Sequence, residues 1–315
     1  MRGFGLIIPL GVVQSYVKPV LLSLFAMYVY LFPWSLLVVI FDLMPTWGAS
    51  MGGVMLIVQG TMLAIWLAAN YAWRGALAAL LIFVLSWGVE HLGVTTSFPF
   101  GSYSYSDVLG LKLFGVVPLA VPFAWVLVIP AAIGVTEWLF HREGNTASNS
   151  AHVVMKVLGV ASLALLMDVA IEPVAADIHG YWVWQPVESA FYGVPAENFV
   201  AWWVLGAIFA AIFYALVPRT VTPDFLPTRW QGGFWRRASL TRPLCTWLPA
   251  TMYMSTLLLL SVTNLVHGKI GAAAIGALVL GFLLMVWAEP RVVGWIIGKP
   301  QTGAGIGHGR SEAES

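Results

Sequence analysis

The sequence predicts an all-α protein, a multi-pass bundle of transmembrane helices. Apolar residues make up 60% of its 315 positions and charged residues only 9%, whereas an ordinary soluble domain has about 25% charged residues. The apolar residues also gather into runs of about 20, the length that crosses a hydrocarbon core as a helix. This composition excludes soluble enzymes, nucleic-acid-binding proteins and disordered chains, and the single Cys245 excludes a disulfide scaffold.

Eight membrane spans are predicted, and they form a single transmembrane domain over residues 1–288. Each span should be helical, because lipid offers no partners for unpaired backbone groups. Residues 289–315 are predicted to form a flexible cytoplasmic tail. The predicted spans are 20–41, 51–69, 76–94, 116–140, 151–176, 198–217, 244–266 and 270–288.

The distribution of basic residues predicts the orientation of the bundle. Thirteen of the 15 Lys and Arg residues fall in the termini and loops of one side, and only Lys112 and Lys269 fall on the other. Since short loops rich in Lys and Arg stay in the cytoplasm, both termini should be cytoplasmic and the protein should lie in the cell membrane. Eight of the 14 acidic residues lie at or near the opposite, outer face, an asymmetry that the orientation rule does not require.

Two stretches of the sequence are similar to each other and predict an internal repeat. Each contains an acidic residue, a Gly after an aromatic or His residue, an aromatic-Gly-Val sequence and a Trp. The members are Glu90, Phe100-Gly101, Phe114-Gly115 and Trp125 in one copy and Asp168, His179-Gly180, Tyr192-Gly193 and Trp202 in the other. The acid precedes the second Gly by 25 residues in both copies (90 to 115, 168 to 193). Spans 3–4 and 5–6 would then be parallel repeats around a shared cavity, unless two loops rich in Gly and aromatic residues are alike by coincidence.

Asp168 and Glu172 are the leading candidates for chemistry. They lie four residues apart on span 5 and therefore share one helix face. A carboxylate inside a span costs about 2.5–3.5 kcal/mol on insertion scales, which points to a function. Two neighbouring carboxylates also repel, so one of them should hold a proton near neutral pH, as a general acid requires. The alternative is a structural pair that is bonded to Ser, Tyr or Trp donors of other helices.

Glu90 and His91 close span 3 at the membrane level of that pair. His91 could orient a water molecule or relay a proton, or it could be a structural residue at the end of a span. The neighbouring loops are dense in aromatic side chains, which either form an interfacial belt or stabilise a carbocation through their ring faces. The aromatic candidates are Phe100, Tyr103, Tyr105, Tyr181, Trp182 and Trp184.

These motifs resemble those of the integral-membrane carotenoid 1,2-hydratases, the group of the bacterioruberin-pathway hydratase and the γ-carotene 1'-hydroxylase. The resemblance covers about residues 85–205, and the flanking helices are similar only in hydrophobicity. The matching segments are Glu-His-x-Gly (90–93), Phe-Pro-Phe-Gly-x-Tyr (98–103), Gly-Val-Val-Pro-Leu (115–119), Asp-x3-Glu-Pro (168–173), Gly-Tyr-Trp-x-Trp (180–184) and Tyr-Gly-Val-Pro-x-x-Asn-Phe (192–199). Glu172 stands where the family commonly has a second Asp, so its carboxylate reaches further by one methylene.

The resemblance implies a hydro-lyase that adds water across the terminal 1,2 double bond of an acyclic carotenoid end and leaves a tertiary alcohol. It implies no organic cofactor and no metal. The substrate would be a carotenoid of the lycopene, γ-carotene or bacterioruberin-precursor type, drawn from the membrane lipids, and other carotenoid-pathway enzymes are candidate partners.

Roles for individual residues are our hypothesis. Asp168 or Glu172 would donate the proton, while the other carboxylate adjusts the acidity of the donor. Glu90 with His91 would position the water. Asn198, in the last matching segment, joins the aromatic residues as a candidate for substrate binding.

Two other functions fit part of the sequence. The spacing Asp168-x3-Glu172-x4-Asp177 imitates the metal-diphosphate motif of a membrane prenyltransferase, but the acidic face has only Lys112 and Lys269 to bind a diphosphate. Intramembrane acids and parallel repeats suit a proton-coupled transporter, although the acids gather near one face rather than at the midplane.

Overall fold

Seven α-helices make up most of the described chain in the computed structural model, which describes residues 10–45, 47–141, 150–185, 191–217 and 241–288. They are α1 (Leu10–Ile40), α2 (Gly48–Thr96), α3 (Ala120–His141), α4 (Ser150–Glu172), α5 (Ala196–Leu216), α6 (Thr241–Val266) and α7 (Ile270–Ala288). The predicted all-α class is confirmed. The tail predicted at 289–315 lies outside the described residues.

The helices have the length and apolar character of membrane spans. Six of the described helices are long and apolar enough to cross a membrane, and Ile270–Val286 within α7 is a shorter apolar helix. α2 contains 49 residues, and an unbroken helix of that length would extend about 73 Å. That is more than twice the thickness of a hydrocarbon core.

α2 is two antiparallel arms joined at Ala72. The backbone of Ala72 is not helical (φ 54°, ψ −139°). Residues 67 and 75 would lie about 12 Å apart along a continuous helix, yet a Cβ built on Gly75 would overlap the Leu67 carbonyl oxygen. The chain therefore reverses, and its arms, 48–71 and 73–96, correspond to the predicted spans at 51–69 and 76–94. With α7 included, the described residues contain eight apolar segments.

Replacing Gly75 by Ala should destabilise the fold by about 1–3 kcal/mol, because the added methyl group overlaps backbone at the reversal. Gly88→Ala is a matched control on the second arm, where an added Cβ meets nothing within 4 Å. Thermal unfolding of both variants in one detergent measures the difference. Equal melting temperatures would contradict the tight reversal.

The described residues include four short strands, which lie at one end of the bundle, the strand-bearing face. They are β1 (Tyr103–Tyr105), β2 (Lys112–Leu113), β3 (Val117–Pro118) and β4 (Trp182–Trp184). β2 and β3 pair with each other, so α3 begins at Ala120 rather than at the predicted residue 116. α4 continues as a π-helix over Pro173–Ile178, at the point where Pro173 has no N–H to donate to an α-helical hydrogen bond.

The pairing of β1 with β4 supports the predicted repeat. The strands are antiparallel, and Ser104 lies opposite Val183 at the centre of the ladder. Each strand begins two residues after a Gly with positive φ, Gly101 (97°) and Gly180 (61°). β1 and β4 occupy equivalent positions in the two copies. Because they pair antiparallel about their central residues, a local twofold axis relates them. Two parallel repeats would be related by an axis of the same kind.

Candidate active site

Glu90 is a buried carboxylate that accepts hydrogen bonds from three aromatic side chains. It lies on the second arm of α2 and is 5% exposed. The hydroxyls of Tyr103 and Tyr105 on β1 donate to its Oε2 at 2.6 and 2.7 Å. The Trp125 indole of α3 donates to its Oε1 at 2.9 Å. Both oxygens of Glu90 therefore have donors, and such donors stabilise the ionised form of a carboxylate.

The two tyrosines of β1 are fixed as hydrogen-bond donors in this arrangement. Burial and then the neighbouring Glu90 carboxylate raise the pKa of the Tyr103 and Tyr105 phenols above the ordinary value. Both hydroxyls therefore stay protonated at any physiological pH.

Glu172 has an equivalent set of donors from the other copy. The Trp182 and Trp184 indoles of β4 donate to its Oε2 at 3.2 and 2.9 Å. The Asn198 amide of α5 donates to its Oε1 at 2.9 Å. The spacing within the two sequence repeats makes Asp168 the equivalent of Glu90. The hydrogen bonds instead make Glu172 its equivalent, because Glu90 is bonded to β1 of its own copy and Glu172 is bonded to β4 of its own copy.

Asp168 lies one helical turn before Glu172 and has fewer partners. Its side chain is fully buried, with 0% exposure. Its Oδ2 accepts a hydrogen bond of 3.0 Å from Asn198, whose amide also donates to Glu172. Its Oδ1 is buried without a hydrogen-bond partner among the described residues. The two acids thus share one amide donor and one helix face, as the four-residue spacing predicts.

Aromatic rings surround these acids on the strand-bearing face. Tyr103 and Trp184 lie opposite each other in the β1–β4 ladder, with ring centroids 5.0 Å apart. Trp125 and Trp202, one from each copy, stack at 3.8 Å and 13°. Phe100 is almost fully buried beside Tyr103.

An apolar cavity of about 630 Å³ opens beside the acids. Apolar side chains from α1, α2, α3 and α6 form most of its wall. Nine of the predicted site residues line it: Glu90, Phe100, Tyr103, Tyr105, Glu172, Tyr181, Trp182, Trp184 and Asn198. Asp168 does not line it and lies behind Glu172.

Two predicted site residues have contacts that the sequence did not suggest. His91 follows Glu90 on the helix, but its ring packs on Trp87 at 5.4 Å and does not line the cavity. Tyr181 lines the cavity, yet its hydroxyl donates to the Ala49 carbonyl at 2.8 Å and ties β4 to α2. Burial raises the pKa of Tyr181 to about 12.

Trp125 and Trp202 are site residues that sequence reasoning used only as the ends of the two repeats. Trp125 is a donor to Glu90, and both rings line the cavity. Their equivalent place at the end of each copy was the available signal. Asp177, the third acid of the prenyltransferase-like spacing, forms an ion pair with Lys269 on the strand-bearing face and does not join the cluster.

Comparisons with known proteins identify a family and one curated relative. A family model described as "carotenoid biosynthesis protein" matches residues 51–283. Bisanhydrobacterioruberin hydratase of Haloarcula japonica is 31% identical over 141 residues, which is 44% of this chain and 45% of that protein. The matched region thus spans less than half the length of this relative. No solved structure matches the chain.

Proposed function

The chain belongs to the family of carotenoid biosynthesis proteins, and we propose that it is a hydratase acting on an acyclic carotenoid end. It adds water across the terminal 1,2 double bond and leaves a tertiary alcohol. The observation that carries the proposal is the cluster of three buried acids, two of which face an apolar cavity walled with aromatic rings. The named activity of the Haloarcula japonica relative agrees with it.

The cavity suits a hydrocarbon substrate that comes from the bilayer. α1 contributes apolar residues such as Met27, Leu31 and Val38 to its wall. It is also the least buried of the six spans. One side of α1 therefore lines the cavity, and its other side faces lipid. A carotenoid can then enter sideways, with its reactive end against the acids and its chain continuing toward the membrane.

Glu172 is our candidate for the group that delivers the proton. It faces the cavity, and Asp168 lies one turn behind it on the same helix. Two carboxyl groups that share a buried site cannot both ionise easily, so the pair retains a proton near neutral pH. Asp168 accepts a hydrogen bond from one donor, whereas Glu172 accepts hydrogen bonds from three. Because donors stabilise a carboxylate, the shared proton resides on Asp168, and Glu172 transfers it to the alkene.

The aromatic wall stabilises the cation that this transfer creates. The proton adds to the CH carbon of the terminal double bond, and positive charge develops on the carbon that bears two methyl groups. Ring faces attract a cation by about 2 kcal/mol or more in a desolvated site. Tyr103, Trp184 and Trp202 present rings to the cavity for this purpose.

Glu90 is our candidate for the base. Its three donors stabilise the carboxylate form, and in that form it accepts the proton that the attacking water loses. A proton exchange between Glu90 and the Asp168–Glu172 pair then restores the starting state. This cycle consumes no organic cofactor and changes no oxidation state. We further propose that the strand-bearing face lies on the outer side of the cell membrane and that both termini are cytoplasmic.

Pigment analysis of cells that accumulate lycopene, with and without this gene, tests the proposal. A carotenoid heavier by one water should appear only with the gene. A product that instead gains a prenyl unit and requires magnesium would favour the prenyltransferase. Unchanged pigments in cells that accumulate several acyclic carotenes would contradict the hydratase.

A further inference from the structure

We infer that a second polar wall of the cavity, formed by Tyr28, Gln59 and Thr256, binds the water that attacks the carotenoid cation and then the hydroxyl of the product. This inference rests on the proposed hydratase function. The three residues come from α1, α2 and α6, and all three line the cavity. They are a different group from the acid cluster, and no role follows for them from the sequence motifs.

The second polar wall lies at nearly the same depth in the bundle as the acids. Gly134 of α3 packs on Pro249 of the antiparallel helix α6. Thr256, seven residues after Pro249, is therefore level with Leu127, about 3 Å along α3 from Trp125. Trp125 is the donor to Glu90.

The position of Gln59 agrees with this depth. Gly60, the next residue, packs against the backbone of Phe123 on α3, two residues before Trp125. The acids and the second polar wall thus line one cavity at one level.

The hydrogen bonds within the second polar wall leave capacity for a ligand. Tyr28 and Ser255 hydroxyls lie 2.7 Å apart. Because the Ser255 hydroxyl donates to the Thr251 carbonyl at 2.6 Å, the proton between them belongs to Tyr28. The Tyr28 oxygen then retains its acceptor capacity.

Thr256 and Gln59 face the Tyr28 hydroxyl. The Thr256 Oγ1 is nevertheless buried without a hydrogen bond of normal geometry in the described chain, and Gln59 is only 9% exposed. A hydrocarbon substrate offers these groups no partner. A bound water needs two to four polar partners, and a hydroxyl, an amide and a phenol oxygen provide them here.

The acid cluster is less suited to hold this water. Both oxygens of Glu90 already accept hydrogen bonds from protein donors, and His91 does not line the cavity. The second polar wall therefore holds the water beside the alkene, and Glu90 accepts the proton that the water loses after it attacks.

Hydration proceeds by protonation of the alkene and then capture of the cation by the bound water. The Glu172 proton and the π electrons form the new C–H bond, which leaves a carboxylate and a tertiary cation. A lone pair of the bound water forms the C–O bond, and the resulting oxonium loses its proton to the Glu90 carboxylate. The product hydroxyl remains hydrogen-bonded to Thr256 and Gln59 until it leaves.

Hydration of lycopene by membranes in heavy water tests the inference through two products of one cation. Capture by water gives the alcohol, whereas loss of a proton regenerates the carotene with deuterium on the former CH carbon. Thr256→Val and Tyr28→Phe should each lower alcohol formation about tenfold, since each removes a hydrogen bond to the water. Deuterium should still enter recovered lycopene, so the ratio of exchange to hydration rises about tenfold.

Thr136→Val is the matched control, because Thr136 is also a buried threonine without a hydroxyl partner in the described chain, but lies away from the cavity. Its ratio of exchange to hydration should equal that of the unaltered protein. If Thr256→Val and Tyr28→Phe leave the ratio unchanged, whether by lowering both products together or by lowering neither, the water site is wrong and the hydratase stands. If the unaltered protein forms neither alcohol nor deuterated carotene, the hydratase itself is wrong.

Discussion

Replacing Glu172 by Gln should lower hydration of an acyclic carotene by at least about a hundredfold, the lower end of what a positioned acid contributes. The amide keeps the size of the side chain but cannot deliver the proton to the cavity. Its oxygen can still accept a hydrogen bond from Trp184 or Asn198. Alcohol formation by membranes that contain equal amounts of protein measures the effect.

Glu197→Gln is the matched control for this variant. Glu197 lies in the first turn of α5 and is exposed, so activity should be unchanged. Comparable activity in the Glu172→Gln variant and the unaltered protein would remove Glu172 from the mechanism.

Replacing Asp168 by Asn should also abolish most turnover, by about a hundredfold or more, while the protein still inserts in the membrane. Asn retains the volume and can still accept the bond from Asn198, but it cannot share a proton with Glu172. Because Asp168 lies behind Glu172, the variant should also lose incorporation of deuterium from heavy water into recovered carotene. A variant with a defect only in water capture would retain that exchange.

Asp177→Asn provides the comparison for Asp168→Asn. Asp177 lies in the π-helix that continues α4 and pairs with Lys269 at a partly exposed position, where an ion pair contributes about 1 kcal/mol or less. Hydration should persist in this variant. Full hydration by the Asp168→Asn protein would show that Glu172 acts without it.

The spans were predictable because the membrane imposes a simple rule on sequence. Long apolar runs separated by polar or Gly-rich residues place α3 to α7 within a few residues of their observed positions. A reversal near Ala72 also follows from the prediction of separate spans at 51–69 and 76–94. The pairing of β1 with β4 was not, because strands of three residues, 79 positions apart, carry no periodic signal.

The acids of the site were predictable, but their partners were only partly so. Asp168 and Glu172 are conspicuous because charge inside a span is costly, and their spacing correctly places them on one face. Asn198 was a candidate for substrate binding, whereas in the structure its amide donates to both acids. His91 was grouped with Glu90 by adjacency, yet successive residues on a helix point about 100° apart, and its ring lies against Trp87.

The source of the product oxygen tests the central claim most directly. Membranes that contain the protein would be incubated with lycopene in labelled water under unlabelled O₂, and in unlabelled water under labelled O₂. A hydratase predicts a tertiary alcohol whose oxygen carries the label only in the first experiment. An oxygen atom derived from O₂ would contradict acid-catalysed hydration and would require an oxygenase instead.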